Sequence, residues 1–104
     1  MNYDEQKLTI NAPSHRMEME IEGGVAFIDF KHIKNKFFFI HTEVPIAMRR
    51  KGAGTAIVQK TLQYAKENNL TIIPVCPFVQ SYLQKHKEWN SIIAPDAQRF
   101  IHKH

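Results

Sequence analysis

Residues 49–54 read Arg-Arg-Lys-Gly-Ala-Gly, three cations followed by two glycines that flank an alanine. Cations attract an anion, and glycines let it approach bare backbone. Where such a loop opens a helix, free N–H groups and the positive end of the helix dipole add to the attraction. A diphosphate suits that combination. Two common nucleotide patterns do not fit: a P-loop needs GxxxxGK and then Ser or Thr. A dinucleotide fingerprint needs a third Gly or Ala where this chain has Ile57, with an acidic residue about 20 positions on. A solvated basic loop ahead of an ordinary helix fits the same letters, because short glycine motifs arise often by chance. The other reactive side chain is Cys76, the only cysteine. It precedes Pro77 at the expected start of a second helix, where the dipole favours a thiolate; the opposing reading is a small buried hydrophobe.

Elements must position these groups. Residues 17–22, Met-Glu-Met-Glu-Ile-Glu, alternate with the period of two that marks a strand with one wet face. Gly23-Gly24 follows as a turn, and Val25 to Phe30 resumes β-rich character. Residues 36–44, Lys-Phe-Phe-Phe-Ile-His-Thr-Glu-Val, are too apolar on both faces for a surface strand. An antiparallel meander is predicted, with Leu8-Thr9-Ile10 as a further short strand. Pro45 closes it. From Gly52 to Asn68, Ile57, Val58, Thr61, Leu62 and Ala65 fall on one face of a helix. Leu70 to Cys76 reads as a central strand, and Pro77 opens a second helix with Phe78, Val79, Tyr82, Leu83 and His86 as its buried stripe. Residues 91–104 read as a short strand and a fraying end. The order predicts a mixed α/β fold, an antiparallel β-meander leading into a β-α-β-α unit. Pro74 deletes a ladder donor, so the strand over 70–76 is expected to part from its neighbour there.

Composition bounds the function. With 104 residues and 43% hydrophobic content, the chain makes one core and one domain, with 1–15 and 90–104 peripheral. No stretch approaches the roughly 20 apolar residues of a membrane span, and the first ten residues lack the order of a signal peptide. A cytoplasmic protein without membrane association is expected, and a lone cysteine agrees with a reducing compartment. Residues 1–30 carry two basic and six acidic side chains, and residues 31–104 twelve basic and four acidic, so their net charges are −4 and +8. The second part expects an anionic partner. Among the histidines only His102-x-His104 has ligand-like spacing, and no metal is predicted.

Arg49-x-x-Gly52-x-Gly54, after a strand and opening a helix, resembles the pyrophosphate-binding motif of the GNAT superfamily of N-acetyltransferases: Gln or Arg, two residues of any kind, Gly, any residue, then Gly or Ala. His41 to Pro45 before the loop and Pro74 to Trp89 after it resemble a small branch of that superfamily, of about 100 residues, and the likeness runs from about Arg16 to Trp89. It implies a reduced GNAT-like fold with splayed fourth and fifth strands, acetyl-CoA as co-substrate, and the pantetheine arm in the splay. Val44, Arg49, Arg50, Lys51, Gly52, Ala53, Gly54 and Thr55 would hold the cofactor, with Cys76, Pro77 and Tyr82 beside it. Longer members place two helices between the first and second strands. Gly23-Gly24 leaves no room for them, so the acceptor side should be open. The branch's His-Pro-Glu-Tyr is here His86-Lys87-Glu88-Trp89.

Acetyl transfer to an amine needs a neutral nucleophile, a stabilised oxyanion and a proton for the thiolate. The resemblance implies Glu43 or His41 as base and Tyr82 as proton donor. The plainer readings are a Glu43 ion pair with Arg49 or Arg50, His41 packed among Phe37, Phe38 and Phe39, and Tyr82 in the core. A Cys76 thiolate that took the acetyl group covalently would give ping-pong kinetics. The acceptor is an amine, with a peptide or a polyamine in view. Two other functions compete: an acyl-CoA-binding module without turnover, and a small basic nucleic-acid-binding domain. Against the latter, the cations are not interleaved with exposed aromatics.

Overall fold

A computed structural model describes residues 3–101 of the chain. Five strands form one sheet in the order β1-β2-β3-β4-β5: β1 (Leu8–Asn11), β2 (Arg16–Ile21), β3 (Gly24–Ile33), β4 (Lys36–Glu43) and β5 (Thr71–Pro74). The first four are antiparallel, and β5 joins β4 in parallel through the helix α1 (Ala53–Glu67). A second helix, α2 (Pro77–Lys85), follows β5. The meander and the β-α-β-α unit are as the sequence predicts, and β1 is a full member of the sheet. No helix among the described residues is long and apolar enough to cross a membrane.

Alternation decides the inner face. Met17, Met19, Ala26 and Ile28 are fully buried, while Glu20 and Val25 on the other face are exposed. Helix α1 covers the inner face: Ile57, Val58, Thr61, Leu62 and Ala65, the predicted stripe, are all fully buried, and Tyr64 approaches the Phe37 ring at 6.3 Å between centroids. The outer face is open along β2 to β4 and is covered only toward β5, where Ile73 is buried.

Strand β4 carries one irregularity. Phe39 pairs with Phe30, but the next pair is His41 with Asp29, so Ile40 is an extra residue. Such a bulge reverses the alternation beyond it. Phe37 and Phe39 point to the core, yet after the bulge it is Thr42, opposite the buried Ile28, that shares the inner face. His41 and Glu43 therefore emerge on the outer face.

The expected parting at Pro74 is present. Ladder pairing of β4 and β5 spans Lys36–Phe39 and Thr71–Pro74 and then ends. Val75 and Cys76 both donate their amides to the Phe39 carbonyl, at 3.0 and 2.9 Å, and beyond that pivot the chains diverge. The carbonyls released at the end of β5 would be costly to leave bare. The Gln80 side-chain amide donates to both, 2.9 Å to Pro74 and 3.3 Å to Val75.

Three expectations need correction. Phe78 is not part of a buried stripe: it is 45% exposed, and His86 is half-buried at the end of α2, whereas Val79, Gln80, Tyr82 and Leu83 are buried. Among the described residues the tail forms no strand beyond a single bridge of Ile93 to Ile72; Pro95 then starts a 3-10 turn, having no N–H to extend a ladder. The flanks also reach further into the core than peripheral segments would. Tyr3, Ile93, Ala97 and Ile101 are all buried.

Candidate active site

The basic loop turns through a short 3-10 segment, Ile46–Met48, and enters α1 at Gly52. Gly52 has φ +86°, a conformation that costs any L side chain, so its glycine is required by backbone rather than by space. Tyr3 secures the turn from below, its hydroxyl donating to the Lys51 carbonyl at 3.0 Å. The first helical amide to find a carbonyl is that of Ala56, 2.9 Å from Gly52 O, and no side chain caps the helix. The amides of Ala53, Gly54 and Thr55 precede it and find no acceptor among the described residues.

Gly54 bears on space instead. A Cβ there would lie 3.0 Å from Phe78 Cζ and 3.5 Å from Val44 Cγ2. These groups border an open cleft of about 360 Å³, whose lining includes Thr42, Glu43, Val44, Met48, Arg49, Arg50, Gly52, Gly54, Thr55 and Phe78. Of the predicted cofactor residues, Val44, Arg49, Arg50, Gly52, Gly54 and Thr55 meet here. Ala53 is buried and offers only its amide, and Lys51 and Pro77 lie outside the lining.

Glu43 and Arg49 belong to the cleft lining and His41 stands just outside it; His41 Nε2 lies 2.7 Å from Glu43 Oε2, and Arg49 Nη2 donates to Glu43 Oε1 at 3.2 Å. Arg49 Nε also donates to the Val44 carbonyl at 3.4 Å. The ion pair expected as the plainer reading of Glu43 thus exists, with Arg49. Packing of His41 among phenylalanines does not: its side chain is 55% exposed. The His41 hydrogen bond, and then the charges of His41 and Arg49, hold the Glu43 carboxyl below its ordinary value despite partial desolvation. A carboxylate in this position orients an imidazole through one nitrogen and leaves the other for chemistry.

Cys76 and Tyr82 are not brought into that cleft. Cys76 caps the start of α2, is 3% exposed, and lies with Sγ 3.5 Å from Thr42 Oγ1, so Thr42 stands between the thiol and the cleft. Tyr82 lines a second cavity beyond Phe78, its ring stacked on His86 at 4.1 Å and its buried hydroxyl without a partner among the described residues. Sequence reasoning missed Thr42, Met48, Phe78 and Gln80. Only Phe78 left a signal, an aromatic one residue into a helix that opens beside a glycine loop. No cluster of three or more metal-ligating side chains occurs among the described residues, and His102 and His104 lie outside them.

Unpaired helix amides, a glycine whose Cβ would fill the cradle and an adjacent Arg50 suit a diphosphate, and the parted strands leave room for an extended arm. The chain matches a solution structure of a GCN5-like protein from Staphylococcus aureus with a TM-score of 0.62 and 22% identity, over 90% of this chain and 91% of that one. No functionally curated protein matches. Residues 16–92 match the family profile described as GCN5-related N-acetyl-transferase. That match spans β2 to β5, the glycine cradle and both helices, and so the chain belongs to the GCN5-related N-acetyltransferase family.

Proposed function

We propose that the protein transfers an acetyl group from acetyl-CoA to an amine, with the cofactor's diphosphate seated at the start of α1. The observation that carries this reading is the trio of unsatisfied amides at Ala53, Gly54 and Thr55 beside Arg50. When bound, acetyl-CoA supplies an activated acetyl thioester. The chain's own part is positioning and proton movement. Val44 and Met48 form the apolar wall, and the unpaired edge of β4 after Phe39 offers backbone amides to an oxyanion. His41, oriented by Glu43, takes a proton from the attacking ammonium.

The amine approaches over the open outer face. There Glu18 is in register with Phe27, and Phe27 with Glu43, so carboxylates border the path. A polyamine or a lysine-bearing peptide has the charge to follow it. The reduced Cys76 thiol is in keeping with a cytoplasmic protein.

Calorimetric titration with acetyl-CoA tests the cofactor. Saturable one-to-one binding is expected, weakened about tenfold in Arg50→Ala, the scale of one charge-assisted hydrogen bond. Arg50 is the informative cation because Arg49 is already engaged by Glu43. A folded sample that binds nothing would remove the reading.

Cys76 divides two routes. Its burial favours direct transfer, whereas the Thr42 contact, which links the thiol to the cleft wall, favours a covalent acetyl-Cys76 relay. We take the direct route. Cys76→Ala is then expected to keep kcat within about threefold, because small isosteric core changes cost little. A variant that binds acetyl-CoA normally but does not turn over would establish the relay instead.

A further inference from the structure

Beside His41, the outer face of the sheet carries two short rows of side chains. In one, Arg16 of β2 pairs with Asp29 of β3, and Asp29 with His41 of β4; in the next, Glu18 pairs with Phe27, and Phe27 with Glu43. Phe27 is therefore the diagonal neighbour of Arg16 on one side and of His41 on the other, about 7–8 Å away in each direction. Arg16 uses its diagonal. Its guanidinium carbon lies 3.8 Å from the centroid of the Phe27 ring, and its Nε donates to Asp29 Oδ1 at 2.8 Å. The carboxylates at the ends of the Phe27 row are held from outside, Glu18 by the Asn11 amide at 3.1 Å and Glu43 by Arg49 at 3.2 Å. An aromatic face with a carboxylate at its edge attracts a cation, and here the chain's own cation sits on it. The hold is light. The Arg16 and Asp29 side chains are 40% and 33% exposed, and an exposed ion pair and an exposed cation–π contact each favour the closed arrangement only a few-fold.

Resting on the acetyl-transfer reading above, we infer that Arg16 is a displaceable stand-in for a second cation of the acceptor, and that the acceptor is a linear diamine or the end of a longer polyamine. An amine nitrogen delivered to His41 has Phe27 at the same diagonal distance from which Arg16 reaches it. A second ammonium about 7–8 Å along the same molecule therefore arrives at the ring and at Asp29 from the β4 side. It makes both of the contacts that the guanidinium gives up, so the exchange leaves neither the ring nor the carboxylate without a cation. A monoamine reaches His41 and has nothing to exchange. The closed Arg16 also sets a threshold, because the diamine's apparent affinity is reduced by the fraction of molecules in which the ring is free. Arg16 is on this account a residue that determines specificity, with no part in the proton transfer.

Proton–nitrogen NMR titration of the coenzyme-free protein with pentane-1,5-diamine and with pentylamine, which lacks only the second amine, decides the matter. In wild type the Arg16 Nε–H signal, displaced by the Phe27 ring current and the Asp29 hydrogen bond, should move toward its free-arginine position as diamine is added. Pentylamine should leave it in place. Arg16→Gln is expected to bind the diamine about tenfold more tightly, the combined scale of the two contacts removed, with pentylamine little changed. Phe27→Leu should lose most of the preference for the diamine. An Arg16 signal that stays in place up to the highest diamine concentration would overturn the inference. Equal binding of the two probes by wild type, or an Arg16→Gln variant that binds the diamine no better than wild type, would overturn it too. These titrations need no coenzyme, so a failure of acetyl-CoA to bind would count against the earlier reading alone.

Discussion

Replacing His41 with glutamine is expected to lower kcat by a factor of about 100 to 10,000, the usual contribution of a positioned general base, with acetyl-CoA affinity unchanged. The carboxylate in the cleft wall and the imidazole beside it do not have equal claims to the role. Glu43 is held below its ordinary value of 4.5, first by the His41 hydrogen bond and then by the His41 and Arg49 charges. A carboxylate so stabilised is a poor base and a good orienter. The sign of its pH effect follows. The folded chain binds this proton less tightly than the unfolded chain, so the ionised pair favours the fold above pH 4.5 and that contribution is lost as pH falls through the lowered value. An acidic limb of kcat/KM at higher pH therefore cannot come from Glu43. It should vanish in His41→Gln and persist, at reduced rate, in Glu43→Gln. Steady-state kinetics of the three proteins across pH would check this. Full activity in His41→Gln together with an inactive Glu43→Gln would make Glu43 the base, acting through water.

Gly54→Leu should abolish measurable acetyl-CoA binding, a loss of about 100-fold or more if two or three charge-assisted amide contacts are forfeited. The same substitution should leave the protein folded. Gly54 sits inside α1 with no left-handed φ, so leucine improves helix propensity by about 1 kcal/mol. The Cβ meets Phe78 at 3.0 Å, but that ring is 45% exposed and can yield. Binding and stability thus move apart, which a paired titration and thermal melt would show. Retained binding would place the diphosphate elsewhere. Loss of both would mean that the Phe78 contact supports the fold.

Much of this site is legible in the sequence because glycine, proline and periodicity each report a local constraint. Gly52 and Gly54 are needed where the loop motif places them, and the α1 stripe is buried residue for residue. Pro74 announces the parting of β4 and β5, since the missing donor lies at the end of their ladder. What escapes is what depends on the partner strand or helix. In α2, Phe78 continues an apolar stripe by composition, yet the helix is rotated so that Val79 and Leu83 reach the core and Phe78 looks toward Gly54. Gln80 reads as a surface residue until the bare carbonyls of Pro74 and Val75 give it a task. The consecutive phenylalanines resolve as two core rings, Phe37 and Phe39, and one half-buried one, which leaves no aromatic platform for nucleic acid on this strand.

The bulge at Ile40 makes the active site a matter of parity. Counting from Phe39, two steps reach His41 and three reach Thr42, and if the same residues ran as a regular strand the imidazole would be the group turned inward. Removing Ile40 itself would leave the faces as they are, because His41 would then follow Phe39 directly and Thr42 would again fall opposite Ile28. What assigns the two side chains to their faces is therefore the match between one surplus residue and one bulge, and a homologous chain that kept the residue but lost the bulge would be expected to hold the coenzyme and do nothing with it.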